Sequence, residues 1–213
     1  MVNDCQSVLW TINIKGRILV NTKDSIVAAA MSTISEQGFY ETTVSDIVAR
    51  AGVAQGTFYI YFEHKKEIIE EIIQKIKAEV EQEIAEEVKA KDEPMAKIKK
   101  GLQAGYRVYQ KYQDIIISLQ EEAIVVEIQN RSRCVKEEFA STQLVEWIEE
   151  GKEKGVFSVV TPLKAAFFII LLFERTAYCC FANKGFGSFE ENYSELVGFI
   201  ERGLGYRREH NNE

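Results

Sequence analysis

Apolar residues return every three or four positions through most of the chain, the spacing that gathers them on one face of an α-helix. Ile26, Ala30 and Ile34 make the ridge of a first helix. Thr22 is its expected N-cap, and Gly38 is expected to close it as a left-handed cap. Ile47, Val48 and Ala51 form the buried face of a second helix, with Thr43 and Asp46 at the spacing of a capping box and Gly52 as its stop. A short third helix follows, from Ala54 or Gln55 to Phe62. A long fourth, from about Lys65 to Ala90, carries Ile69, Ile72, Ile73, Ile76, Val80, Ile84 and Val88 on one stripe and Glu and Lys on the other face.

Lys91-Asp92-Glu93-Pro94 is the clearest break, and Pro94 suits the first turn of a helix reaching about Gln113. Ile115 to Ile128 reads as a shorter buried helix, and Arg131 to about Lys154 as another whose end Gly151 and Gly155 loosen. Thr161 and Pro162 open a helix in which Ala165 to Phe173 is apolar all round, as suits a helix in a core or between subunits. A last helix spans about Ser188 to Leu204, with Phe189, Tyr193, Leu196, Val197, Ile200 and Leu204 on one stripe. The expectation is an all-α protein of about nine helices. Its divisions are an N-terminal extension at 1–21, a three-helix unit at 22–67, a helical domain at 68–205 and a polar tail at 206–213.

Composition sharpens this only in places. Two prolines in 213 residues fit long helices. A net charge of −7 argues against a broad basic coat for nucleic acid, so a DNA-binding role has to rest on a motif rather than on bulk charge. The four cysteines form no CxxC pair and the two histidines stand apart, so neither a metal site nor a cofactor is expected. No G-x-S-x-G, H-E-x-x-H or Gly-rich phosphate loop occurs, and catalysis is not expected. The longest apolar run is nine residues, far short of the ~20 that cross a membrane, so a cytoplasmic protein with no membrane partner is expected.

The informative stretch is Thr43 to Lys66, TVSDIVARAGVAQGTFYIYFEHKK. Gly52 gives the backbone freedom for a sharp turn between two short helices, and Val53 plugs their angle. The second of these helices is too short to stand alone and must rest on its neighbours through Phe58 and Phe62. That leaves Gln55, Gly56, Thr57, Tyr59, Ile60 and Tyr61 facing out. Hydroxyls and amides on such a ridge can bond phosphates and base edges, Ile60 can touch a thymine methyl, and Gly56 permits close approach of the backbone. Lys65 and Lys66 lie just past the ridge.

These residues resemble the tetracycline-repressor (TetR) family of bacterial regulators, through A-G-V-x-x-G-T-x-Y-x-Y-F-x-x-K-x-E at Ala51 to Glu67, with Ala29-Ala30, Gly38-Phe39 and Thr42-Thr43 before it. The resemblance covers Thr22 to Ile68; beyond it only the run of helices is similar. It implies that Gln55, Thr57, Tyr59, Ile60 and Tyr61 face the major groove, and that Thr43, Ser45, Tyr59 and Lys65 meet phosphates. It also implies that a homodimer, joined by the helices near 162–182 and 188–204, binds a palindromic operator in double-stranded DNA. Relatives take hydrophobic or aromatic effectors between their fourth and eighth helices. The matching candidates here are Tyr106, Tyr109, Phe139, Trp147 and Phe168, with Arg107, Gln110, Gln143, Glu174 and Arg175 as polar groups. The implied function is a repressor released by a small hydrophobic ligand; a regulator without a ligand, or an activator, would carry the same motif.

Overall fold

A computed structural model of the protein describes residues 22–121 and 142–207. The expected extension, Phe139 and the start of the expected helix from Arg131 lie outside these residues. Nine α-helices, one 3-10 turn and no strand occur among the described residues. They are α1 Thr22–Gln37, α2 Val44–Ala51, α3 Gln55–Tyr61, α4 Glu67–Glu87, α5 Pro94–Lys111, α6 Gln113–Glu121, α7 Thr142–Glu153, α8 Pro162–Ala182 and α9 Phe189–Gly203, with the 3-10 turn at Lys184–Phe186 between the last two.

Local chemistry sets most helix ends. Thr43 caps α2 by accepting from the Asp46 N–H, while its own N–H donates to the Asp46 carboxylate, and Ser188 and Glu191 do the same for α9. Pro94 and Pro162 sit in the first turns of α5 and α8. Gly38 leaves α1 at φ +81°, and its N–H returns to the Ile34 carbonyl. Some ends depart from expectation. Thr22 is already helical. Thr161 precedes α8 without a side-chain cap bond. α4 stops at Glu87, where Val88 turns extended and the Lys89 N–H donates to the Asp92 carboxylate. Tyr112 interrupts the helix expected to reach Gln113 and separates α5 from α6.

Gly151 does not loosen α7. Its carbonyl accepts from the N–H groups of Val156 and Phe157, and the Phe157 ring lies over its Cα. A Cβ at 151 would stand 2.1 Å from Phe157 Cδ2, so only glycine lets the chain fold back here.

Two apolar clusters organise the molecule. The first joins α1, α2 and α3 to the N-terminal half of α4 and to Ile115 and Leu119 of α6. The second joins α5, α7, α8 and α9 around Ile98, Trp147, Phe173 and Ile200. Tyr109 of α5 is the one side chain among the described residues that packs against both. α6 lies against α1 on one side and α8 on the other. The fold is thus a helix-turn-helix head set on an all-helical C-terminal domain.

Of the two settings expected for α8, a core or a subunit contact, the core of the single chain accounts for one face. Ala166, Ile169, Phe173 and Ala177 are buried, whereas Phe168 is 58% exposed and Leu163 and Leu171 also face out. The nine-residue run sits inside a 21-residue helix that is long and apolar enough by composition alone to cross a membrane, with an 18-residue window of mean hydropathy 1.7 of which 28% is buried. Lys164, Glu174 and Arg175 lie within the same helix.

Candidate nucleic-acid interface

The interface is built from α2, the turn after it and α3. Gly52 takes φ +69° as the C-cap of α2, and the Val53 N–H bonds the Val48 carbonyl, which tightens the corner. α3 is seven residues long and rests on Phe58, fully buried, and Phe62, 3% exposed, whose rings lie 5.3 Å apart. With that edge held, Tyr59, Ile60 and Tyr61 stand 53%, 75% and 40% exposed. Gln55 and Gly56 are exposed and Thr57 is partly buried. The structure therefore brings the expected ridge together on one surface. Nothing inside the fold calls for glycine at 56, since its φ is ordinary and an added Cβ would meet open space.

The connection between α1 and α2 is clamped from two sides. The Ser118 hydroxyl of α6 accepts from the Phe39 N–H at 2.9 Å. From the other side the Lys65 ammonium donates to the carbonyls of Phe39 and Thr42 at 2.6 Å each and of Tyr40 at 3.3 Å, and it lies 4.1 Å from the centre of the Phe39 ring. Lys65, expected to meet a phosphate, is therefore an internal brace, because its hydrogen-bond donors already serve three main-chain carbonyls. That role was hidden from the sequence, since the partners lie 23 to 26 residues upstream. Tyr40, exposed beside this brace, was also not singled out.

The other expected phosphate groups are exposed but differ in freedom. Ser45 sits in the first turn of α2. The Thr43 hydroxyl is held by Asp46, to which it donates at 2.6 Å, and this pairing holds the Asp46 carboxyl below its ordinary range. Arg50 makes a two-pronged bond to Glu36, and Lys23 pairs with Glu71 at 2.7 Å. Arg50 and Lys23 are thus engaged within the protein, and the ridge itself offers hydroxyls, an amide and an isoleucine.

The expected effector residues are only partly brought together. Tyr106 and Trp147 are buried in the second cluster, and Gln143 is partly buried nearby on α7. Tyr109 donates from its hydroxyl to Glu174 at 3.0 Å. Four others point away. Arg107 pairs with Glu83 and Glu87 of α4, Gln110 is exposed, Phe168 faces out from α8, and Arg175 lies over the Tyr178 ring at the surface. On helices with aromatics on more than one side, periodicity alone does not say which side is interior.

Beside Phe168, α8 and α9 enclose an open apolar groove of about 630 Å³, lined by Val160, Phe168, Leu171, Leu172, Phe199 and Gly203 among others. Phe199 is 55% exposed.

Residues 26–72 match the family profile described as bacterial regulatory proteins, tetR family. Over 193 residues, 85% of this chain and 94% of the relative, the sequence is 26% identical to the uncharacterized HTH-type transcriptional regulator YvdT of Bacillus subtilis strain 168. The fold is similar to that of the fatty acid degradation regulator FadR from Bacillus halodurans, with a TM-score of 0.65 at 20% identity, covering 90% of this chain and 100% of that one. It is also similar to Thermus thermophilus FadR, a TetR-family transcriptional repressor solved in complex with lauroyl-CoA, with a TM-score of 0.61 at 17% identity, covering 90% and 98%.

Proposed function

We propose, because this chain belongs to the tetR family of bacterial regulatory proteins, that it is a transcriptional repressor which leaves a palindromic operator when a small hydrophobic effector binds its C-terminal domain. DNA binding and transcriptional regulation are the family's business. Repression, the palindrome and the effector are our reading. The observation that carries it is the ridge of α3, where two tyrosines and an isoleucine stand in water on a helix too short to be there for its own stability. Gln55, Thr57, Tyr59, Ile60 and Tyr61 read the major groove, and Gly56 lets the backbone come close. Ser45, Tyr59 and the exposed end of α2 near Thr43 meet phosphates, while Lys65 holds the loop that presents them. Such a protein works in the cytoplasm, beside its DNA.

A palindrome calls for two heads about 34 Å apart, one turn of the double helix. The exposed apolar face of α8 and α9 supports pairing with a second copy through Phe168, Leu171 and Phe199, giving a four-helix interface. The effector lies among α4, α5 and α8, near Tyr106 and Tyr109, with Trp147 and Gln143 closing the far side. Its binding shifts α4 and α6, the elements that reach the head, so the spacing of the two α3 helices no longer fits the groove. A coupling of ~1–3 kcal/mol between the two sites suffices for such a response. Selection of duplexes from a random pool by the full-length protein tests the reading. Enrichment of an inverted repeat is expected, and a pool that stays random after repeated rounds would overturn it.

A further inference from the structure

α5 and α8 approach closely at Gly105, where an added Cβ would lie 3.3 Å from the Phe173 ring. One turn further along α5, Tyr109 reaches Glu174, the residue after Phe173, and donates to its Oε1. Glu174 as a whole residue is partly exposed, and its carboxyl is closely surrounded by protein. Among the described residues, none donates a hydrogen bond to its second oxygen and no cation stands within ion-pair distance of it. Lys77 on α4 and Arg175 on α8 act on it only from a distance, and burial keeps the carboxyl above its ordinary range. A buried carboxyl left half satisfied is costly unless a donor arrives to complete it.

The surroundings narrow what that donor is. From Tyr109 a run of touching rings leads inward. Phe173 lies 5.4 Å away, Phe189 6.2 Å beyond it and perpendicular, and Tyr106 is stacked on Phe189 at 3.6 Å. Phe181 and Tyr193 flank the stack. A carboxyl at the end of an aromatic wall offers an ammonium both a counter-charge and ring faces, whereas it repels an anion and gives a neutral hydroxyl only the hydrogen bond. We infer that Glu174, held by the Tyr109 hydroxyl while the site is empty, is the polar anchor of the effector site and selects an apolar, aromatic-sized molecule bearing a protonated amine. The inference rests on the effector-sensing reading above and adds the chemical class of the effector. An ammonium seated on Glu174 competes with the Tyr109 hydroxyl, and Tyr109 is the side chain that touches both clusters, so its release is felt in the head.

The test uses the full chain and three probes of one shape, 2-phenylethylamine, 2-phenylethanol and phenylacetate. Affinities are measured by calorimetry, with melting temperature as a second readout. The amine is expected to bind at least about tenfold more tightly than the alcohol, with phenylacetate weakest. Glu174→Gln keeps the shape and one acceptor, and is expected to cost the amine about that factor while leaving the alcohol unchanged. Tyr109→Phe, which removes the competing hydroxyl, is expected to tighten the amine. Equal affinity for amine and alcohol, full amine affinity in the Glu174→Gln variant, or no binding by the amine overturns the inference. Phenylacetate that binds as tightly as the amine does so too, while leaving an effector sensor of another chemistry. Whether the protein is a DNA-binding regulator is decided separately by the duplex selection.

Discussion

The Lys65 ammonium sits 4.1 Å above the centre of the Phe39 ring, and its hydrogen bonds tie the start of α4 to the loop ahead of α2. A brace and a phosphate contact fail differently when the charge is removed. Lys65→Met should lower stability by about 1–3 kcal/mol, the cost of leaving the partly buried carbonyls of Phe39 and Thr42 unmatched. It should weaken operator binding while leaving its dependence on salt unchanged, whereas loss of a phosphate contact would reduce the slope by about 1. Melting curves and a salt series of binding isotherms check both.

The ridge on α3 should behave in the opposite way to the residues beneath it. Tyr59→Ala, Ile60→Ala and Tyr61→Ala remove exposed side chains, so the melting temperature should hardly move. Affinity for the selected duplex should fall by roughly 1–3 kcal/mol for a change that removes a base contact. Phe58→Ala, which empties a fully buried site, should cost about 3–5 kcal/mol of stability. If the surface changes leave affinity untouched, the groove-facing assignment is lost.

The apolar face of α8 and α9 makes a claim about mass in solution. Phe168→Glu or Phe199→Glu places a charge where a second copy is proposed to sit, yet both residues are exposed in the single chain. Sedimentation should show a dimer for the parent and a monomer for either variant, with far-ultraviolet dichroism retained. A variant that still sediments as a dimer rules this face out as the subunit contact.

Glu174 gives stability a pH dependence of known sign. Burial raises its folded value above the ordinary 4.5, with the Tyr109 hydrogen bond and then Lys77 and Arg175 drawing the other way. The stability contributed by the neutral carboxyl is fully present below that ordinary value and is lost as pH rises through the folded one. Glu174→Gln should therefore gain on the parent as pH rises from the ordinary carboxylate range towards neutrality. Melting temperatures of the two proteins that run parallel over that range would remove the case for a raised carboxyl.

Gly151 yields a packing prediction. Gly151→Ala drives a methyl into the Phe157 ring, so about 1–3 kcal/mol should be lost, and Phe157→Leu in the same chain should recover part of it. Chemical denaturation of the single and double variants measures the recovery.

What could be read from the chain ahead of its structure follows the range of the interactions. Thr43 with Asp46, Pro94, Pro162 and Gly38 act within a turn of themselves, and each marks a helix end where expected. The split of α3 into a buried Phe58–Phe62 edge and an exposed Tyr59–Tyr61 face is periodicity at work, reinforced by a motif of fixed spacing. The bracing bonds of Lys65 are not legible in the sequence, because its partners are set by the fold and not by its neighbours. That Arg107 and Phe168 face out of the single chain is not legible in the sequence, because an aromatic or a cation beside a core helix has the same spacing whether it faces in or out. Tyr109 and Glu174 were both named as candidates, but their bond spans 65 residues and nothing local announces it.

The Tyr109 ring shared by the two apolar clusters also bears on how the molecule comes apart. With α4 and α5 running through both halves and Tyr109 filling their seam, neither half can melt while the other keeps its packing intact. Heating should give one cooperative transition, and amide exchange in α2 should slow when a small molecule tightens the distant half.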